Sequence, residues 1–275
     1  MFIDSHTHLT SKEFDEDRDD VVRRAEDAGV SMMINPAVDV SDSRRAIDLA
    51  DRHAGVFACV GVHPHEAAKA TERDFEEIEE LSRSRKVVAI GEIGLDFYYD
   101  FSPVEVQKET FRRQLRIARD RNLPVVIHTR DSIQETIDIV EEMIAADPGW
   151  RSLPSGQRRP RGVFHCFSGD LGTAHKVIGM GFYVSFPGMV TFRNAATPRA
   201  VAAAVPLDDL LLETDSPYLA PVPLRGKRNE PKNIPLIAAC IAELRHCEVA
   251  DVGCQTTYNC HDLFGIGDPE PGEAA

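Results

Sequence analysis

Short apolar runs bounded by turn residues recur along this chain, and most are followed by a stretch whose apolar residues keep helical spacing. The runs lie at 2–4, 30–35, 56–61, 87–90, 125–127, 163–164, 182–185 and 210–212, with the β-branched content and length of buried strands. Residues 15–28, 43–52, 75–82, 104–122 and 132–145 between them read as helices that bury one face. Strand and helix alternating in this way call for a parallel sheet with right-handed crossovers. Eight near-regular units close more naturally into a (β/α)8 TIM barrel of the α/β class than into an open doubly wound sheet. The 275 residues suit one such barrel, for which roughly 250 is typical. We therefore expect a single domain over residues 1–265. The tail 266–275, rich in Pro, Gly and acids, is expected to be poorly ordered.

Composition narrows what such a barrel can do. With 43% hydrophobic and 28% charged residues the chain can bury a full core without disulfides. Cys59, Cys166, Cys240, Cys247, Cys254 and Cys260 show no paired Cys-x-x-Cys spacing, so free thiols in a reducing compartment are expected. The last four recur through a helical tail, where core-facing positions explain them better than a zinc site. No basic and apolar leader opens the chain and no apolar run is long enough to span a bilayer, which predicts a cytoplasmic protein without membrane contact. Lys and Arg (31) against Asp and Glu (45) leave 31 − 45 = −14, a balance that repels polyanions. Any nucleic-acid contact must therefore be local. One loop-like insertion, 147–161, joins a helix to the next strand; it falls on the inactive face and reads as peripheral and solvated despite Arg158, Arg159 and Arg161.

The chemistry concentrates where strands stop. His6-Thr7-His8 follows the first run, and an i, i+2 spacing in extended chain points both imidazoles to one side, where one cation can take both. Glu92, His128, His165 and Asp215 each stand at the C-terminal end of a run, so they should converge over the barrel mouth. Four histidines and two carboxylates exceed what one catalytic ion takes, and two divalent ions bridged by a carboxylate fit the count. His63-Pro64-His65 follows the third run on the same face, where His63, and less plainly His65, can contact a phosphate or a leaving group. Asp96 either orients a ligand from behind or forms a turn. Phe97, Tyr98 and Tyr99 either stack on an unpaired base or cap the barrel. Arg225, Lys227 and Arg228 lie just beyond Asp215, placed to bind substrate phosphate. His53, His175, His246 and His261 fall in or at the ends of predicted helices and receive no role.

Several ordered blocks resemble the TatD family of metal-dependent deoxyribonucleases: Asp4-Ser5-His6-Thr7-His8, Gly61-Val62-His63-Pro64-His65, Gly91-Glu92-Ile93-Gly94-Leu95-Asp96 and Leu123-Pro124-Val125-Val126-Ile127-His128. Further on, Phe164-His165-Cys166-Phe167-Ser168-Gly169, Gly188-Met189-Val190-Thr191-Phe192, Glu213-Thr214-Asp215-Ser216-Pro217 and Arg225-Gly226-Lys227-Arg228-Asn229-Glu230-Pro231 continue the likeness to about Phe264. The resemblance implies His6, His8 and Asp215 on one ion, His128 and His165 on the other, and Glu92 between them. It also implies hydrolysis of DNA phosphodiesters, from single-stranded or 3′ ends, with magnesium, manganese or zinc. Glu92, Asp215 and His63 then carry the reaction, and no obligate protein partner is called for. Two departures stand out: the 147–161 insertion is long, and Asn259-Cys260-His261 replaces an Asn followed by an aromatic. A hydrolase of esters or amides, such as a D-aminoacyl-tRNA deacylase, could use the same ligands. A non-catalytic metal protein fits less well, because structural zinc sites are closed sets of four ligands.

Overall fold

Eight parallel strands form a ring in chain order, each hydrogen-bonded to the next. They are β1 (Phe2–Asp4), β2 (Val30–Pro36), β3 (Val56–Val60), β4 (Val87–Asp96), β5 (Val125–Arg130), β6 (Gly162–Phe164), β7 (Phe182–Phe186) and β8 (Leu210–Leu212). The computed structural model describes residues 1–151 and 160–267, so the expected tail beyond residue 267 and the insertion's Arg158 and Arg159 lie outside the described residues. The ring closes between its first and last strands, where Ser5 N–H donates to the Leu212 carbonyl at 3.0 Å and Thr7 bridges Ser216 in parallel.

The outer layer consists of α1 (Arg18–Asp27), α2 (Val40–Arg52), α3 (Glu72–Leu81), α4 (Val104–Arg121), α5 (Ile133–Ala146), α6 (Leu171–Gly179), α7 (Ala196–Ala204) and α8 (Ile234–Arg245). Their sequences explain both their ends and their buried faces. The Asp39 carboxylate accepts the Asp42 N–H at the start of α2, satisfying a donor with no partner inside the helix. Phe111, Leu115 and Ala118 of α4 recur at helical spacing and are fully buried against the strands, and Asn122 ends that helix in the left-handed region (φ 53°).

Two separate apolar layers result. The larger lies between strands and helices. The smaller fills the ring: Ile3, Met32, Ile34, Cys59, Val126, Val163, Tyr183 and Leu211 point inward. A ninth helix, α9 (Val249–Phe264), adds Cys260, Leu263 and Phe264 to the same cluster, with Ile266 just beyond it. This helix plugs the end of the ring where the strands begin, and its Asn259 side-chain amide donates to the carbonyls of Leu207 and Leu210 at 2.9 Å.

Three local expectations need correction. β4 runs to Asp96 rather than stopping at Ile90, with its register to β5 shifting between Ile90 and Ile93. Gly94 makes the second half of that strand possible: it sits at φ 139°, and a Cβ there would meet the His128 carbonyl oxygen at 2.1 Å. Arg161 is buried rather than solvated, donating to the Met180 carbonyl at 2.7 Å. Arg151, also buried, donates to the carbonyls of Asn122, Pro160 and Leu263, which stitches the start of the insertion to the end of the barrel that α9 closes. All six cysteines are free thiols, but Cys254 is exposed rather than core-facing. No helix among the described residues is long and apolar enough to cross a membrane.

Candidate metal centre

At the other end of the ring the inward positions turn polar. His128 lies two residues past Val126 on β5, His165 two past Val163 of β6, and His63 four past Cys59 of β3, so each continues the inward face of its strand. Glu92 and His128 therefore sit within their strands rather than at the ends, whereas His165 and Asp215 follow theirs. The His6-Thr7-His8 segment is strung between two neighbours. Thr7 N–H donates to the Ile34 carbonyl, His8 N–H to that of Ser216, and the His6 carbonyl accepts the Asp215 N–H, all at 2.8 to 3.0 Å. Asp215 is held at φ 53°, a conformation Asp tolerates better than most residues.

The ring thereby brings His6, His8, His63, Glu92, His128, His165 and Asp215 into one cluster whose donor atoms form overlapping triads. One group faces Glu92 Oε2. His6 Nε2 and His8 Nε2 are 3.2 Å apart, lie 3.5 and 3.6 Å from that oxygen, and lie 3.8 and 3.5 Å from Asp215 Oδ1. A cation bound tetrahedrally at about 2.0 to 2.1 Å sets its ligands about 3.3 Å apart, so the two imidazole nitrogens stand from each other and from each carboxylate at close to coordination-shell spacing. A second group faces Glu92 Oε1, with His128 Nδ1 at 2.9 Å, His165 Nε2 at 2.8 Å and those two nitrogens 3.4 Å from each other. The two oxygens of one carboxylate thus face different imidazoles, in sets that meet where the His6 and His165 rings stack at 3.9 Å. The residues present fit the binding of divalent metal.

Electrostatics supports this division of labour. Burial would raise the Glu92 carboxyl, but the facing imidazoles of His165, His63 and His128 hold it well below the usual carboxylate range. Burial opposes ionisation of Asp215 too, and His8 and His6 outweigh it. Both carboxylates are therefore anionic donors. Burial lowers His6 and takes His63 down to about 4. His128 and His165 move upward against their burial, because Asp96 and Glu92 face the first while Glu92 and Glu213 face the second. Carboxylates behind an imidazole raise its basicity as a ligand.

Asp96 fills both roles considered for it. Its Oδ1 accepts the N–H groups of Tyr98 and Tyr99 at 3.0 Å, forming the turn, while Oδ2 takes His65 Nε2 at 2.8 Å and His128 Nε2 at 3.1 Å. His63 differs from the other histidines in its proton. Its Nδ1 accepts the His65 N–H at 3.2 Å, so the neutral ring carries hydrogen on Nε2 and presents a donor to the cluster, 3.5 Å from Glu92 Oε1.

The basic loop after β8 divides. Arg225 and Lys227 are exposed, with Arg225 stacked 4.4 Å from the Phe192 ring centre. Arg228 is committed elsewhere: it donates to both carboxylate oxygens of Asp17 at 2.8 Å, to Glu230 at 3.1 Å and to the Glu13 carbonyl. Reading it as a phosphate ligand did not anticipate these partners, of which Asp17 and Glu13 arrive from the first turns of the chain. His53, His175, His246 and His261 lie in or beside α2, α6, α8 and α9, outside the cluster. Two fully buried acids escaped the sequence reading. Asp4 accepts the backbone N–H groups of Thr214 and His6, and Glu213 accepts the Cys166 N–H and the Ser185 hydroxyl at 2.6 Å with His165 Nδ1 at 3.8 Å. Glu213 continues the inward face of Leu211, but alternation alone does not tell a buried acid from a surface one, and Asp4, next to inward Ile3, lacks even that cue.

Comparison with known proteins agrees with this construction. The family model described as "TatD related DNase" matches residues 3–265. The chain belongs to the TatD family. Among its relatives, the uncharacterized metal-dependent hydrolase YabD of Bacillus subtilis is 39% identical over 97% of this chain and 100% of its own length. The 3′-5′ ssDNA/RNA exonuclease TatD of Escherichia coli K12 is 37% identical over 96% of this chain and 98% of its own. The crystal structure of YJJV, a TatD homolog from Escherichia coli K12, superposes with a TM-score of 0.87 at 30% identity, covering 97% of this chain and 98% of that one.

Proposed function

We propose that this TatD-family hydrolase cleaves phosphodiester bonds in DNA at a centre for two divalent cations, releasing nucleotides from the 3′ ends of single strands. The observation that carries the reading is Glu92, whose two oxygens face different imidazoles. His6, His8, Asp215 and Glu92 Oε2 would hold one ion; His128, His165 and Glu92 Oε1 would hold the other. Divalent ions bound there supply Lewis acidity and neutralise charge at a phosphoryl group. Asp215, anionic at the rim of the first donor set, is placed to accept the proton of the attacking water. His63 offers its Nε2–H to an oxygen of the reacting phosphate, a donor held in place before the substrate arrives. Arg225 and Lys227 leave positive charge exposed in the loop that follows Asp215, offsetting the net −14 where a phosphate must approach. The name of the Escherichia coli TatD relative supports a single-stranded nucleic-acid substrate, RNA included.

The test is cleavage of single-stranded DNA, and RNA of the same sequence, labelled at either end. Chelated protein is reloaded with magnesium, manganese, zinc or cobalt, and Glu92→Gln is assayed alongside. Metal-dependent loss of single nucleotides from the 3′ end is expected, with Glu92→Gln slower by about 1,000-fold or more, since one residue serves both donor sets. No cleavage with any of the four metals sinks the phosphodiesterase reading and moves the search to esters and amides.

A further inference from the structure

Next to the donor cluster stands a group of exposed rings that the reaction itself does not use. Tyr98, Tyr99 and Phe101 follow β4 and are 58%, 39% and 61% exposed, three rings within four residues. They are ordered, not loose. Asp96 fixes the backbone N–H groups of Tyr98 and Tyr99, and Tyr99 and Phe101 stack at 5.2 Å with 21° between their planes. The group touches the centre through His65, whose ring lies 5.3 Å from Tyr99, 4.8 Å from Phe101 and 4.3 Å from His63.

Arg130 completes the group. It ends β5 two residues beyond His128, on the same inward face, and its guanidinium lies 4.0 Å from the Tyr98 ring centre and 4.7 Å from that of Tyr99. Its circumstances differ from those of Arg228. Among the described residues no carboxylate lies within ion-pair distance of Arg130, although the chain carries 45 acidic residues. An unpaired cation lying flat on tyrosines beside a phosphodiesterase centre keeps its in-plane N–H groups for an incoming acceptor.

We propose that Tyr98, Tyr99, Phe101 and Arg130 form a ledge that binds the substrate strand beside the scissile bond, unpaired bases stacking on the rings and a neighbouring phosphate meeting Arg130. The proposal rests on the nuclease reading above and adds to it a specificity element. Bases in a duplex are already paired and stacked, so a ledge of rings selects strands whose bases are free. It accepts any base, because every base offers a flat face.

The experiment compares steady-state constants on two substrates: a single-stranded 12-mer of DNA, and methyl p-nitrophenyl phosphate, a phosphodiester without bases. Variants are Tyr99→Ala with Phe101→Ala, Tyr99→Trp with Phe101→Trp, Arg130→Gln, and Tyr258→Ala, which removes an equally exposed ring from α9 at the plugged end. Circular dichroism establishes that each is folded. The double alanine variant is expected to raise the oligonucleotide KM tenfold or more relative to any change with the small diester, kcat staying within threefold. The tryptophan variant restores most of that loss. Arg130→Gln raises the same KM about fivefold and flattens its salt dependence, while Tyr258→Ala matches wild type. If the ledge variants shift both substrates in parallel, or leave the oligonucleotide KM within twofold, the ledge is overturned while the nuclease reading stands. If wild type cleaves neither substrate and shows no anisotropy change with a labelled 12-mer, both fall.

Discussion

The two ends of the barrel interior are built from the same eight strands and have opposite characters. Where the strands begin, Ile3, Val126, Val163 and Leu211 meet the plug of Leu263, Phe264 and Ile266, and the filling is predominantly apolar. One or two pleats further, the same inward stripe reads His128, His165, Ser185 and Glu213. Both ends are buried, so burial alone does not distinguish them. What differs is that every buried charge at the second end has partners: Glu92 faces five other donors, and Glu213 takes two hydrogen bonds. One end of the stripe is spent on stability, the other on holding charge in place.

If that contrast is real, the ends respond differently to damage. The largest effect is expected from Leu263→Ala in the plug, which should cost about 3 kcal/mol in urea unfolding while leaving activity per folded molecule near wild type. An activity loss exceeding the folded fraction would show that the plug shapes the centre, and the comparison would break. Glu213→Gln comes next, keeping shape but removing the charge behind His165. Metal affinity should fall 10- to 100-fold by titration, with the metal-free melting temperature little changed. A collapse of the metal-free protein would place Glu213 among the stabilising residues instead.

The smallest effect belongs to Arg228→Gln, a test of whether the basic loop serves substrate or scaffold. The Arg228 and Arg24 guanidiniums hold the Asp17 carboxyl below its ordinary value. A folded-state pKa that is depressed contributes stability above the unfolded pKa of about 3.9, and that contribution fades as pH falls through the folded value. The variant should therefore lose about 1 kcal/mol at pH 7, a modest figure because the pair is partly solvated, and progressively less below about pH 4. Its oligonucleotide KM should stay within twofold of wild type. A large KM effect would return Arg228 to the substrate side.

Most of the ring was legible, because a strand buried on both faces announces itself as an apolar run and its neighbours announce the turns. β4 was the exception: Gly91, Glu92 and Gly94 interrupt the apolar run, and only the position of β5 beside it shows that the strand continues. The donor residues were legible for a related reason, since His128 and His165 each stand just after an apolar run. Asp4 and Glu213 were not, because a buried acid and a surface acid look alike until the groups donating to them are placed. Arg228 and Arg130 make the same point from the cationic side. In sequence both are arginines near the active face. The fold gives one of them Asp17 from more than 200 residues away and leaves the other lying on two tyrosines.

The seam between β1 and β8 sets when the donor set can exist at all. His6 and His8 are made about 200 residues before Ser216 and Asp215, yet their positions depend on both. A growing chain short of that point has histidines but no place for them to meet. The cluster is therefore a record of synthesis carried past β8, and a chain stopped short of that point holds the imidazoles without the carboxylate that joins them.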